Sequence, residues 1–341
     1  MDPTQTRILG TSGVEVTQLG LGGASYGSLF YQVPEEDAVA AIHAAWDAGI
    51  RFFDTAPWYG RGLSELRTGS GLRYRPRDEY ILSTKIGRWL KAQIPGSDTD
   101  LSPWKAPALF DVIFDYTYDG LMRAYEQSQL RLGLPFYDVC VIHDLDTGYH
   151  QPEAKLQHYF NQLSTSGYKA IEELRAHGYI KAIGAGVNYL KHIPRFLEII
   201  DLDFFLVAMP YTLLRQEILE TEFPAAVERG MSFVIGAPYQ SGILAAGSKS
   251  AANADYAPPS PELIGQVEAI EAVGARHGVP LAAAAIQFTL GHPAVSSVIP
   301  GARSANHVKR TVEAFRHPIP ADFWAELKHE KLIREDAPVP A

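Results

Sequence analysis

The chain is short of several things, and each shortage excludes something. It has one cysteine, Cys140, in 341 residues, so no intrachain disulfide can form and a reducing compartment is expected. It lacks an excess of positive charge. The net charge is -9, which gives no electrostatic reason to hold nucleic acid or an anionic membrane surface. No apolar run approaches the roughly 20 residues of a membrane helix. The opening "MDPTQTRILG" has no basic segment followed by an apolar core, so a cytoplasmic location is expected. There is no G-x-G-x-x-G in register after the first apolar run, where a doubly wound dinucleotide fold would carry it. The same place has no His-x-His, so a metal-dependent hydrolase is disfavoured and no metal is expected.

What is present is alternation. Eight short runs are nearly continuously apolar: "VEVTQLGLGG", "IRFFDTA", "EYILSTK" (79–85), "YDVCVIH" (137–143), "IKAIGAGV" (180–187), "FFLVAMP" (204–210), "MSFVIGAP" (231–238) and "VSSVIPG" (295–301). Continuous apolar character is the pattern of parallel strands buried on both faces. Between them lie helical patterns over 34–49, 117–133, 167–178, 215–230, 261–278, 281–291 and 305–315. About eight strand–helix repeats predict an α/β fold, a (β/α)8 TIM barrel, as a single domain over 1–341. A doubly wound sheet is the main alternative. Two irregular insertions, near 90–109 and 144–165, follow the third and fourth strands. They leave the strands' C-terminal ends, where such barrels keep their active sites, and loops this long are commonly lids.

Ionisable groups stand where the apolar runs stop. "FDTAPWYG" (53–60) places Asp54 at a strand end and Tyr59 in the loop behind it. "ILSTK" closes on Lys85 and "VCVIH" on His143. Singly, each has an ordinary explanation: a solvated lysine, a structural histidine, a helix-capping aspartate. Together they surround one mouth, because a barrel sets strand ends two, three and four side by side. A phenol titrates near 10. An ammonium about 4 Å away favours phenolate by a gross ~4 kcal/mol at an effective dielectric near 20, with burial working against it. A lowered Tyr59 is therefore expected, with Asp54 aiming Lys85 and His143 bonding the substrate oxygen. Such a unit moves a proton to or from an oxygen on carbon, half of carbonyl–alcohol redox. The hydride has to come from a cofactor. The stretches "GAPYQSGIL" (236–244) and "IPGARSANHVKR" (299–310) are the expected phosphate grip, with Ser304 capping a helix N-terminus.

With those residues in place, the sequence resembles the aldo-keto reductase family. The motifs "GIRFFDTAPWYG", "ILSTK", "LRLGLPFYDVCVIHD" and "VIPGAR" fall in family order across nearly the whole chain. The resemblance implies a catalytic tetrad of Asp54, Tyr59, Lys85 and His143 and a nicotinamide dinucleotide. Beside that cofactor it places Gly23, Ala24, Asn188, Gly236, Ser241, Gly242, Gly301, Arg303 and His307. The pattern departs from the family at "GAGVNY", where Gly186 and Val187 stand on the usual Ser-Asn pair and Asn188 is one place later. It departs again at Ala208 and Gly236, where many members carry Gln and Tyr. Gly301 and His307 replace residues that often grip a 2′-phosphate, although Arg303 remains. NAD is expected, with NADP open.

"FDTAPWYGRGLSE", "RPRDEYILSTKIGR" and "PYQSGIL" are similar to the bacterial aldose 1-dehydrogenase branch, which is also similar to pyridoxal 4-dehydrogenase. That implies oxidation of a cyclic hemiacetal hydroxyl to a lactone, with an aldose such as L-fucose, D-arabinose or L-galactose, or pyridoxal, as the small-molecule partner. Tyr26, Trp58, Trp89 and Trp104 are candidates for the substrate wall, and Asp144 for a hydroxyl contact. A general NADPH aldehyde reductase and a dinucleotide-binding subunit with little turnover are the competing readings. A monomer or small homo-oligomer is expected.

Overall fold

The computed structural model describes residues 1–250 and 252–340. A short antiparallel hairpin, β1 (Thr6–Ile8) and β2 (Glu15–Thr17), comes first. The barrel strands then run in chain order: β3 (Leu21–Gly22), β4 (Phe52–Asp54) and β5 (Ile81–Ile86). An inserted antiparallel hairpin, β6 (Arg88–Ala92) and β7 (Phe110–Phe114), interrupts them. The barrel resumes with β8 (Val139–His143), β9 (Ala182–Val187), β10 (Phe204–Ala208), β11 (Ser232–Gly236) and β12 (Val295–Ile299). The eight barrel strands are parallel and each pairs with its neighbour in sequence. Parallel bridges Leu19↔Val298 and Gly22↔Gly301 close the ring. This is the expected (β/α)8 barrel.

Strand alternation explains the continuous apolar runs. Val139 and Val141 of β8 point into the barrel and pack with Phe52, Phe204, Val234 and Ile299. Cys140 and Ile142 point outward into the shell under the helices. Both faces are therefore dry, and the barrel is a packed core rather than a pore. The β1–β2 hairpin adds Leu9, Val14 and Val16 to the inner cluster and plugs the N-terminal end.

Three expectations need correcting. "VEVTQLGLGG" is two strands, β2 and β3, because the first half belongs to the plug and only the second to the barrel. The 215–230 pattern is not one helix but a 3₁₀ turn, Glu217–Leu219, and a short helix, Glu222–Val227. Pro224 fits the first turn of that short helix but would remove a hydrogen bond from a longer one. The 144–165 insertion is not irregular throughout, since it carries the helix Glu153–Gln162.

Both insertions lie over the C-terminal mouth. Arg61 donates to the carbonyls of Phe110, at 2.6 Å, and Asp100, tying the first insertion to the loop after β4. Lys105 N donates to Ser28 O at 2.9 Å and Ala108 N to Gly60 O at 3.1 Å. Gly60 also lets the loop after β4 lie close against the loop after β3. Its φ is +62°, and a Cβ there would lie 2.5 Å from the carbonyl oxygen of Gly27.

Candidate active site

Asp54 ends β4, Lys85 lies in β5 and His143 ends β8, so three adjacent strands deliver the three groups to one place. The Lys85 ammonium is 2.5 Å from Asp54 Oδ2 and donates to the Thr55 carbonyl at 2.8 Å. Ser83 donates to the other Asp54 oxygen at 2.9 Å. Both side chains of the pair are out of solvent. Burial pushes the Asp54 carboxyl up, and Lys85 and Ser83 oppose that. Tyr59 lies over the pair, with Lys85 Nζ 4.8 Å from its ring centroid. Its ring meets the His143 ring edge-on, centroids 5.7 Å apart. The structure thus brings Asp54, Tyr59, Lys85 and His143 together.

The electrostatics differ from expectation in one respect. Tyr59 is not lowered. Burial, followed by the nearby carboxylates of Asp54 and Asp144, holds the phenol well above its ordinary value. Lys85 is already spent on Asp54, so its charge is largely cancelled before it reaches the ring. Burial also holds His143 well below the ordinary imidazole range, with Arg88 and Lys85 adding to the effect. At neutral pH the site therefore contains a phenol and a neutral imidazole.

These groups open into a cavity of about 260 Å³ lined by Tyr59, Trp58, Trp104, Tyr149, Asp144 and Asn188 among others. It is smaller than the roughly 300–1,000 Å³ of sites for drug-sized ligands. Trp104 tilts against Tyr59 with centroids 5.8 Å apart, and meets Trp58 edge-on at 5.5 Å. Trp104 comes from the first insertion, so that insertion builds part of the wall. Ala24 and Lys85 also line the cavity.

Two expected wall residues are elsewhere. Tyr26 is buried in the protein core, its hydroxyl 3.0 Å from Thr68 Oγ1. Trp89 faces away from the cavity and stacks under Arg123, whose guanidinium is 4.6 Å from its ring. Asn188 reaches the cavity, but its amide donates to Asp144 Oδ1 at 3.0 Å and its backbone N–H to Asp146 at 3.3 Å. Gly23 packs onto the end of β4, its N–H donating to the Asp54 carbonyl at 2.7 Å, and leaves the wall to Ala24.

The remaining expected cofactor residues form a second group at the ends of β11 and β12. Gly236 ends β11. Beyond it Ala237, Gln240 and Ser241 have positive φ, in a turn closed by Gln240 N donating to the Ala237 carbonyl at 3.0 Å and Gly242 N to the Tyr239 carbonyl at 2.8 Å. Gly242 opens the helix Ile243–Ala246. Ser241 Oγ accepts from Tyr256 N at 3.0 Å, anchoring the loop that brings Tyr256 to the cavity. Gly301 bridges to Gly22. Ser304 caps the helix Ala305–Arg316 by accepting from His307 N at 3.3 Å. Arg303 sits over Tyr31, 4.1 Å from its ring, beside that helix start. A helix N-terminus with a cation beside it fits the phosphates of a dinucleotide.

The sequence reading missed Arg88, Tyr149, Phe30 and Tyr256. Arg88 sits just past the lysine-bearing strand, in the quoted "ILSTKIGR", and a charge so close to a buried strand end was the available signal. The other three are loop aromatics whose direction no periodicity encodes.

Among the described residues no group of acids, histidines or cysteines could hold a metal ion, and no helix is long and apolar enough to cross a membrane. A parallel barrel with ionisable groups gathered at its mouth is the setting of an enzyme active site. The model of the Aldo/keto reductase family matches residues 18–330, and the chain belongs to that family. It is an NAD(P)-dependent oxidoreductase. It is 41% identical to pyridoxal 4-dehydrogenase of Microbacterium luteolum, over 97% of this chain and 98% of that one. It is 37% identical to D-threo-aldose 1-dehydrogenase of a Pseudomonas species, over 94% and 96%. Among solved structures, an aldo-keto reductase from Bacillus halodurans in its holo form superposes with a TM-score of 0.71 at 24% identity, over 99% and 98% of the two chains.

Proposed function

We propose that this enzyme oxidises the hydroxyl of a small, neutral cyclic hemiacetal to a lactone, with an aldose or pyridoxal as substrate and NAD as the preferred cofactor. The observation that carries the reading is the cavity. It brings Tyr59 and His143 to a space walled by Trp58, Trp104 and Tyr149. A sugar's C–H face or a pyridine ring packs well on such rings. Two relatives whose names specify these substrates lie at 41% and 37% identity.

Each side chain then has a task. Tyr59 exchanges the proton of the reacting hydroxyl. His143, neutral, holds the same oxygen by a hydrogen bond without adding charge. Lys85 lies under the Tyr59 ring, and what remains of its charge beside Asp54 favours the phenolate that takes the proton in oxidation, while Asp54 fixes its position. When bound, the nicotinamide ring accepts the hydride, the one part of the reaction no side chain here supplies. Ala24 and Asn188 would flank that ring, near Gly23 and Gly236. Ser241 and Gly301 would hold the phosphates by backbone, with Gly242 shaping the turn, and Arg303 and His307 the adenosine end.

One observation favours the opposite direction, reduction of an aldehyde with NADPH. Tyr59 rests as a phenol, the form that donates a proton. The test is a panel in which NAD and NADP are offered with L-fucose, D-arabinose, L-galactose, L-xylose and pyridoxal while NAD(P)H absorbance is followed. NADH formation with a sugar or pyridoxal supports the oxidation. Absence of any oxidation, with NADPH consumed by simple aldehydes, replaces it with the reductase.

A further inference from the structure

Arg88, like Lys85, is a cation enclosed near the cavity, 1% exposed at the first residue of β6. Three rings surround its guanidinium: Tyr149 at 4.2 Å, Phe114 at 4.9 Å and Trp58 at 5.4 Å. Nη2 donates to Asp144 Oδ2 at 2.6 Å, while Nε and Nη1 are buried without a hydrogen-bond partner. A cation held this way is a poor device for stability, since apolar side chains of the same volume commonly do as well or better. What the arrangement provides is a carboxylate locked at the edge of the cavity.

Asp144 is fixed from several sides. Its φ is +43°, a left-handed conformation that few non-glycine residues adopt, and its N–H donates to the Gly186 carbonyl at 3.0 Å. Oδ1 accepts from Asn188 at 3.0 Å. Oδ2 takes Arg88 and lies 3.2 Å from His143 Nε2. A carboxylate has about four acceptor positions, so the hydrogen bonds from Asn188 and Arg88 leave acceptor capacity free, and Asp144 lines the cavity.

We propose that Asp144 accepts a hydrogen bond from a substrate hydroxyl one or two carbons from the reacting carbon, and that Arg88 is the residue that positions it. An aldose carries that hydroxyl on C2 and pyridoxal carries it on ring C3, so one acceptor serves both substrate types. Among the described residues Lys85 is the one cation of the Lys or Arg type lining the cavity, and it is committed to Asp54. The edge is therefore made for a neutral hydroxyl and not for an anionic group. The inference rests on the hemiacetal reading above.

The test compares substrate pairs that differ by that hydroxyl: L-fucose with 2-deoxy-L-fucose, and pyridoxal with 3-deoxypyridoxal. The wild type is expected to favour the hydroxylated member by about 10- to 100-fold in kcat/KM, the worth of a hydrogen bond to a charged group. In Asp144→Asn and Asp144→Ala that ratio falls to within about threefold. Arg88→Met lowers the ratio mainly by raising KM for the hydroxylated member about tenfold, and Arg88→Lys restores part of it, a pattern that general loosening of the fold would not give. If Arg88→Met does not fold, Arg88→Lys against Asp144→Asn decides its part: a ratio in Arg88→Lys equal to wild type removes Arg88 from the proposal. A wild type indifferent to the hydroxyl, or an Asp144→Asn enzyme that keeps the full preference, overturns the inference and leaves the hemiacetal reading standing. Oxidation of none of the four compounds overturns both.

Discussion

The Lys85 ammonium lies 4.8 Å from the centroid of the Tyr59 ring, while its hydrogen bonds go to Asp54 and the Thr55 carbonyl. The phenol is therefore supported by a cation that is not its direct hydrogen-bond partner. Replacing Tyr59 by Phe keeps the ring over Lys85 and removes the group that exchanges the proton. Oxidation is expected to fall by about 10²- to 10⁴-fold, the usual worth of a positioned acid–base group, with NADH binding unchanged in a fluorescence titration. Full turnover in Tyr59→Phe would remove Tyr59 from the chemistry. A cellular effect that survives the substitution without turnover would mark a dinucleotide-binding subunit instead.

The pH dependence has a definite sign. Tyr59 is held above its ordinary value, so its deprotonated, base-competent form grows with pH through the neutral and alkaline range. The rate of oxidation at fixed substrate should rise with it, and aldehyde reduction should not. Asp144 adds an acid limb. Burial pushes it up to about 6, so below that pH it is protonated and no longer a full acceptor. The groups around it are Arg88 on β6, Lys85 on β5, His143 beside it, Asp146 in its own loop, and the phenols of Tyr59 and Tyr149. Of these, His143 is held low by burial, which leaves Asp144 to set the limb. A profile of kcat/KM should bend near pH 6 in wild type and lose that bend in Asp144→Asn. A bend that stays would assign it to another group.

Much of this was legible in the sequence, for physical reasons. Strands buried on both faces must be apolar throughout, so the eight runs stood out, and polar residues at their ends had to be at the mouth. The helix Leu63–Leu72 was not legible. Its "LRTGSGL" is poor helix sequence, and the reason is packing: a Cβ on Gly69 would lie 2.1 Å from the Leu132 carbonyl oxygen. Glycine there lowers helix propensity but lets two helices touch. Tyr26 was misplaced for the same reason, since its partner Thr68 is on that unseen helix. The role of Arg88 depends on the β6–β7 pairing, whose second strand begins after a long stretch without periodicity, and on the direction of Tyr149 and Phe114.

Ring closure itself can be tested. In pyridoxal 5′-phosphate the hydroxymethyl group is esterified, so no cyclic hemiacetal forms, and the phosphate finds no uncommitted lysine or arginine among the described residues lining the cavity. If pyridoxal is oxidised, its phosphate should be oxidised at least about 100-fold less efficiently in a side-by-side assay with NAD. Comparable oxidation of the phosphate would mean that an open-chain form reacts, and the lactone product would have to be given up.

The Asp54–Lys85 pair makes a prediction about stability with a definite pH dependence. Both side chains are buried and 2.5 Å apart, and losing one partner of such a pair costs about 3–5 kcal/mol. In Lys85→Met, Asp54 keeps only Ser83 in a dry site. Burial already pushes its carboxyl up in the intact protein, against the opposing effect of Lys85, so in the variant its folded-state pKa stands above the unfolded value. The folded protein then binds more protons than the unfolded chain, and the cost shrinks as pH falls. Urea unfolding of Lys85→Met against wild type, at about pH 5 and about pH 9, should show the smaller cost at the lower pH. A cost that does not vary, or that grows as pH falls, would mean that water reaches the pair and that Asp54 does not hold Lys85 in a dry site beneath Tyr59.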